Sequence, residues 1–156
     1  MPLPWTSKMP EFLHAVKALQ TTTPRALVNG TTIFRVTGGP IIIQSLVSRC
    51  ITSCDTTAST LQWSADGDVG AATTFTGASA SLASFAAGGV IVCNMTALST
   101  APVITGTNGV VLQGTPGVIV PDGIITTVVG VGSTTGTFLH YLRYSPLTPS
   151  SNVVLA

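Results

Sequence analysis

Charged side chains are scarce in this 156-residue chain: only 7% of its residues are Asp, Glu, Lys or Arg, against about 25% in a typical soluble domain. The net charge is +1, so electrostatic repulsion between copies is weak. The six basic residues are scattered, which disfavours a nucleic-acid-binding surface. We therefore expect much of the exterior to be covered by partner subunits.

Long apolar runs and targeting signals are also absent. No stretch approaches the ~20 apolar residues that a transmembrane helix needs, so we expect no membrane span. Residues 1–20 contain Pro2, Pro4 and Pro10 and lack an apolar stretch preceded by basic residues. We therefore expect no secretory signal and folding in the cytoplasm.

The chain has three cysteines, an odd number that does not form a complete disulfide framework. On one extended strand, Cys50 and Cys54 would share a face about 13 Å apart, too far to bond each other. Buried free thiols are the favoured interpretation, and a cross-strand bond from Cys93 to one of the other two is the alternative. A zinc site is disfavoured, because no second Cys/His pair completes it.

Residues for catalysis are few. His140 shares a strand face with Phe138, Leu142 and Tyr144, which predicts a packed, hydrogen-bonded histidine. A Ser-His-Asp site would need a serine beside it, and no Gly-x-Ser-x-Gly elbow occurs. A hydrolase is therefore disfavoured, and we predict no enzymatic activity and no catalytic residues.

The carboxylates likewise suggest no site. Asp66 and Asp68 flank Gly67, a pattern typical of a solvated turn. A weak Ca²⁺ site is the alternative, although a full cage needs more oxygen ligands. We predict no metal and no cofactor.

The N-terminal residues have a helical pattern. Pro10 and Glu11 suit a first helical turn, and apolar residues follow at helical spacing: Phe12, Leu13, Val16 and Leu19. This pattern predicts a short amphipathic helix on an N-terminal arm, residues 1–30. The helix packs either on its own domain or on a neighbouring subunit, because one this short is marginal alone.

From residue 31 the apolar period changes to two, with β-branched residues dominant. We predict about eight short strands, at residues 31–37, 41–51, 60–63, 90–95, 109–113, 118–120, 124–131 and 137–144. Residues 70–89 predict a long loop with at most one weak strand, and Pro121-Asp122-Gly123 predicts a turn. The predicted fold is all-β, a jelly-roll-like antiparallel β-sandwich over residues 31–147. A C-terminal tail, residues 148–156, has an apolar tip that would pair with another chain's sheet edge.

Two segments resemble a family of small β-sandwich virion proteins of tailed phages. The first, FRVTGGPIII (34–43), is similar to the first hairpin of that family. The second is similar to its closing strands and comprises VIVPDGII (118–125), the Gly/Thr run to Gly136 and YLRYSPL (141–147). The resemblance covers roughly residues 31–147. It implies a capsid decoration, or cement, protein: a sandwich or jelly-roll trimer with no catalytic residues.

The resulting expectation is a homotrimer on the capsid exterior of a virion, bound to the major capsid protein and stabilising the head. Residues 1–24 and 146–156 would contact neighbouring subunits. The alternative is a trimeric head-fibre or tail-tip module that binds a host glycan or receptor. Its candidate stacking aromatics are Trp5, Trp63, Phe75 and Phe85.

Overall fold

The computed structural model describes residues 16–93, 101–105, 117–132 and 135–156. These residues form an all-β protein with no helix among them. Their strands are β1 (Lys17–Gln20), β2 (Arg25–Ala26), β3 (Thr32–Thr37), β4 (Ile41–Thr52), β5 (Leu61–Gly67), β6 (Thr73–Thr74), β7 (Val90–Val92), β8 (Val103–Thr105), β9 (Val118–Val120), β10 (Gly123–Val129), β11 (Thr137–Pro146) and β12 (Asn152–Leu155).

The strands form two antiparallel sheets. Sheet A has the order β1-β11-β4-β7-β8, with β2 also pairing with β11 and β9 also pairing with β4. Sheet B has the order β12-β3-β10-β5-β6. The long pair β4–β11 forms the centre of sheet A, and β10 lies between β3 and β5 in sheet B.

One hydrophobic core draws side chains from both sheets, as in a β-sandwich. Sheet A contributes Leu46 and Phe138, and sheet B contributes Trp63 and Ile125, all fully buried. Strand β10 alternates strictly between buried and half-buried positions, which is the period-two pattern of a strand with one face on the core. The predicted all-β class is thus confirmed.

Two glycine-containing turns carry the chain from one sheet to the other. Gly38 and Gly39, with φ of 76° and 128°, connect β3 in sheet B to β4 in sheet A. The predicted Pro121-Asp122-Gly123 turn is confirmed and connects β9 in sheet A to β10 in sheet B. The Gly39 amide donates to Asp122 Oδ1 at 2.6 Å, which ties the two crossings together.

Residues 34–43 therefore do not form the hairpin that their resemblance suggested. Strand β3 pairs with β10 and β12, whereas β4 pairs with β11, β7 and β9. The left-handed backbone of the two glycines redirects the chain between layers instead of folding it back within one.

The predicted N-terminal helix is wrong over Lys17–Gln20, which forms β1 against β11, with Leu19 opposite Leu142. A short helix is marginal by itself, whereas this segment gains a ladder of backbone hydrogen bonds. Thr21 and Leu27 are also buried, so residues 17–30 belong to the folded domain and not to an arm. The rest of the predicted helix, residues 10–15, lies outside the described residues.

The predicted C-terminal tail is also part of the domain. Strand β12 pairs with β3 of its own chain, with Val153 opposite Val36, so its apolar tip completes sheet B within the same subunit. Ser151, the residue just before this strand, holds the chain in place, because its buried hydroxyl donates to the Pro40 carbonyl at 2.8 Å.

Most of the other predicted strands agree with the structure, but strands β2 and β8 were not predicted and one turn is displaced. Asp66 and Gly67 continue β5, and the bend follows at residues 68–70. The 70–89 region is a loop whose only strand is β6, two residues long. The predicted strand at residues 109–113 lies outside the described residues.

Candidate functional site

The inner face of sheet A holds a buried serine–histidine pair. Ser48 on β4 lies directly opposite His140 on β11, and Ser48 Oγ is 2.7 Å from His140 Nδ1. The backbone of His140 is held as well: its amide donates to Thr21 Oγ1 at 3.0 Å, and its carbonyl accepts from the Thr21 amide at 2.9 Å. The loop after β1 therefore fixes the strand that carries the histidine.

Burial lowers the pKa of His140 to about 4, and the nearby Arg25 guanidinium lowers it further in the same direction. The imidazole is therefore neutral at pH 7, the form in which it accepts a proton from a hydroxyl. A Ser-His-Asp triad, however, places an anion beside the histidine, whereas the charge that shifts His140 is a cation. Ser48 is 0% and His140 2% exposed, so both side chains are packed inside the domain.

The predicted packed histidine is thus confirmed, whereas its serine partner was missed in the sequence. Ser48 has no motif around it, and only the β4–β11 register brings it to His140. The sequence feature that could have pointed to Ser48 is that a polar residue occupies an inward-facing position of β4 between Leu46 and Cys50.

Two of the carboxylates near the turn between β9 and β10, Asp68 and Asp122, accept hydrogen bonds. Asp68 accepts from Arg35 Nη2 at 3.3 and 3.4 Å, and Asp122 accepts from the Gly39 amide. Asp66 lies within β5, opposite Ile124. Within the described ranges, no three His, Cys, Asp or Glu side chains are grouped as a metal site would require.

Two apolar grooves open at opposite ends of β10. The first, which we call the β5–β9 groove, has a volume of about 350 Å³, and its rim residues Val69 and Ile119 are 95% and 65% exposed. It is lined by Ala65, Gly67, Val69, Ala71, Thr73, Phe75, Val118, Ile119, Val120 and Pro121.

The second, which we call the β2–β10 groove, has a volume of about 510 Å³. Its wall contains Val28, which is 53% exposed, and the neighbouring Val131 is 56% exposed. The grooves lie at opposite ends because the first is beside Gly67, which pairs with Gly123, and the second is beside Val129.

The predicted stacking aromatics do not form an exposed platform. Trp63 and Phe75 are buried in the core. Phe85 is half-buried and stacks on Phe138 with a centroid separation of 6.4 Å. Trp5 lies outside the described residues.

All three cysteines are free and buried, which confirms the favoured interpretation of the thiols. The separation of about 13 Å expected along one extended strand does not apply to Cys50 and Cys54, because Cys50 Sγ and the Cys54 amide approach the same Phe85 carbonyl at 3.8 and 3.0 Å. Strand β4 ends at Thr52, so the chain is no longer extended where Cys54 occurs.

The part of the chain that the structure describes contains no helix able to cross a membrane. No protein-family model, curated protein or solved structure matches this chain.

Proposed function

We propose that this chain is a non-enzymatic structural subunit, specifically a decoration (cement) protein that binds the major capsid protein on a tailed-phage head as a homotrimer. The observation that carries this proposal is the pair of separated apolar grooves on a chain with very few charges. Val69 and Ile119 border one groove, and Val28 and Val131 lie at the other.

The separation of the grooves favours a cyclic assembly over a simple dimer. Six residue steps of β10 lie between Gly123 and Val129, so the grooves are roughly 20 Å apart at a rise of about 3.3 Å per residue. Two different patches on each subunit suit a heterologous contact, in which one patch of one copy meets the other patch of the next, and such contacts close into rings. A trimer is the smallest ring of this kind.

The surface chemistry supports the same interpretation. Among the described residues, the one salt bridge is Arg35–Asp68, and both side chains are about half exposed at 47% and 53%. A protein with so few ions has little charge to desolvate when it is covered. Burial of apolar surface at about 25 cal/mol per Å² over an interface of about 1,600 Å² then exceeds the costs of association.

The fold suits a reinforcing role. We infer a jelly-roll-like arrangement, a type found in capsid proteins, from two antiparallel sheets around one core. Each bound trimer would add buried area across capsomer boundaries, so that loss of one capsid subunit costs more free energy. Because β1 and β12 are built into the sheets, the segment proposed to reach a neighbouring subunit is reduced to residues 1–15.

The test is co-sedimentation of the full chain with heads of the phage that encodes it, followed by counting of copies per particle. We expect hundreds of copies per head. Val69→Asp places a charge in the β5–β9 groove and should abolish the binding. Val154→Asp is the matched control, because it makes the same substitution at an exposed position of β12 that lines neither groove.

Absence of binding by the folded wild-type chain would overturn the proposal, as would only a few copies per particle. Equal binding by Val69→Asp and Val154→Asp would show that the β5–β9 groove has no part in binding to the head.

A further inference from the structure

Cys50 and Cys54 form a buried dithiol at the end of strand β4. The Cys50 thiol donates to the Thr52 carbonyl at 3.1 Å, and Cys54 follows two residues after Thr52. The two cysteines are 1% and 6% exposed. Both thiols are therefore enclosed in the domain.

A single carbonyl group organises the pair. The Cys54 amide donates to the Phe85 carbonyl at 3.0 Å, and Cys50 Sγ lies 3.8 Å from the same oxygen. The Cys50 backbone is fixed on both sides, because its amide donates to the Gly89 carbonyl and its carbonyl accepts from the Gly88 amide, each at 2.9 Å. Loop 82–89 thus holds the chain after β4 close to Cys50.

We propose that Cys50 and Cys54 are the two halves of a reversible intrachain disulfide that forms by exchange with a small-molecule disulfide such as oxidised glutathione. This inference does not depend on the proposed function. Cys50 Sγ and the Cys54 amide already lie at the same Phe85 carbonyl oxygen, so a change of side-chain rotamer can bring the two sulfurs to the bonding distance of about 2.05 Å.

The exchange proceeds in two balanced steps. The Cys54 thiol, the more exposed of the pair, loses its proton to solvent, and the thiolate attacks one sulfur of the glutathione disulfide. A mixed disulfide forms and one glutathione thiolate leaves. The Cys50 thiolate then attacks the Cys54 sulfur and displaces the second glutathione. Two protein thiols are oxidised, one glutathione disulfide is reduced to two thiols, and the released protons return to the glutathione thiolates.

The surroundings make this pair slow to react but selective. Burial, assisted by the neighbouring Cys54, raises the pKa of Cys50 to about 11. Thiolate is the reactive form, so an external alkylating agent reacts slowly with the folded protein. Burial raises the pKa of Cys93 to about 12, and its amide donates to the Leu46 carbonyl, four residues along β4 from Cys50. Cys93 is therefore a matched internal control: equally buried, without a thiol partner.

The disulfide would link Cys54, in the loop after β4, covalently to Cys50 near the end of that strand. It closes a five-residue loop, and the loss of conformational freedom in the unfolded chain then raises Tm by about 5 °C. Oxidation thus stabilises the edge of the domain that carries Phe85.

The experiment uses the full chain equilibrated in buffers of increasing ratio of oxidised to reduced glutathione. Exchange is quenched with acid, the remaining thiols are labelled with N-ethylmaleimide in denaturant, and the intact mass is measured. We expect the number of labels to fall from three to one, with Cys93 retaining its label and a Cys50–Cys54 cross-linked peptide appearing. Cys93→Ser should fall from two labels to none, and Cys54→Ser should form no intrachain bond.

Three labels at every ratio, a stable mixed disulfide as the end product, or a bond that includes Cys93 would each overturn the proposal. The peptide map of the wild-type chain decides the matter by itself if a serine variant fails to fold.

Discussion

The buried His140 predicts that acid weakens the fold within a defined pH range. An unfolded histidine has a pKa of about 6.5, whereas in the folded protein burial and the Arg25 cation lower it to about 4. Between these values the unfolded chain binds a proton that the folded chain does not. The stabilisation is therefore complete above pH 6.5 and is lost as the pH falls towards 4.

The magnitude follows from the two pKa values. The full shift of about 2.5 units corresponds to roughly 3 kcal/mol. Between pH 7 and pH 5 the same linkage gives a loss of about 2 kcal/mol in the free energy of unfolding. This narrower range is the better test, because ordinary carboxylates titrate mainly below it, near pH 4.

Urea denaturation followed by far-UV circular dichroism at half-unit pH steps measures the effect. His140→Gln retains hydrogen-bonding capacity and removes the titration, so its unfolding free energy should change little between pH 7 and pH 5. His14→Gln removes the chain's other histidine and should keep the wild-type slope. An identical slope in the wild type and His140→Gln, or a wild-type stability that rises on acidification, would refute the reasoning.

Three further substitutions test the packing, each by urea denaturation at pH 7. Gly123→Ala should cost at least about 2 kcal/mol, because Gly123 has φ of 145° and an added Cβ would collide with the Asp66 carbonyl; a neutral result would contradict the turn geometry. Phe138→Ala should cost about 3–5 kcal/mol, since the ring is fully buried, and a cost below 1 kcal/mol would argue against the core. Arg35→Ala should cost less than about 1 kcal/mol, because its ion pair is half exposed; a larger loss would mean that this pair is a structural element.

Local patterns predicted the strand-forming segments well. The Ile-rich start of β4, the alternation in β10 and the Pro121-Asp122-Gly123 turn are each dictated by residues within a few positions of one another. Such signals concern single elements, and they carry over directly into the all-β class.

Tertiary pairing decided the features that the sequence did not reveal. Residues 17–20 have helical spacing, yet the open edge of β11 offers them a backbone ladder. Ser48 meets His140 through a register that no local motif specifies. Cys54 lies close to Cys50 because the Phe85 carbonyl holds the chain after β4. The residue spacing along an extended strand does not predict that turn.

The molecular mass of the purified chain in solution tests the central claim most directly. Sedimentation equilibrium across a wide concentration range should give a species of three times the 15.9 kDa chain mass. Val69→Asp should shift it to the single-chain mass, whereas Val154→Asp should not. A wild-type chain that remains a single subunit at millimolar concentration would contradict the account, because its weakly charged exterior and two apolar grooves would then be covered by no copy of itself.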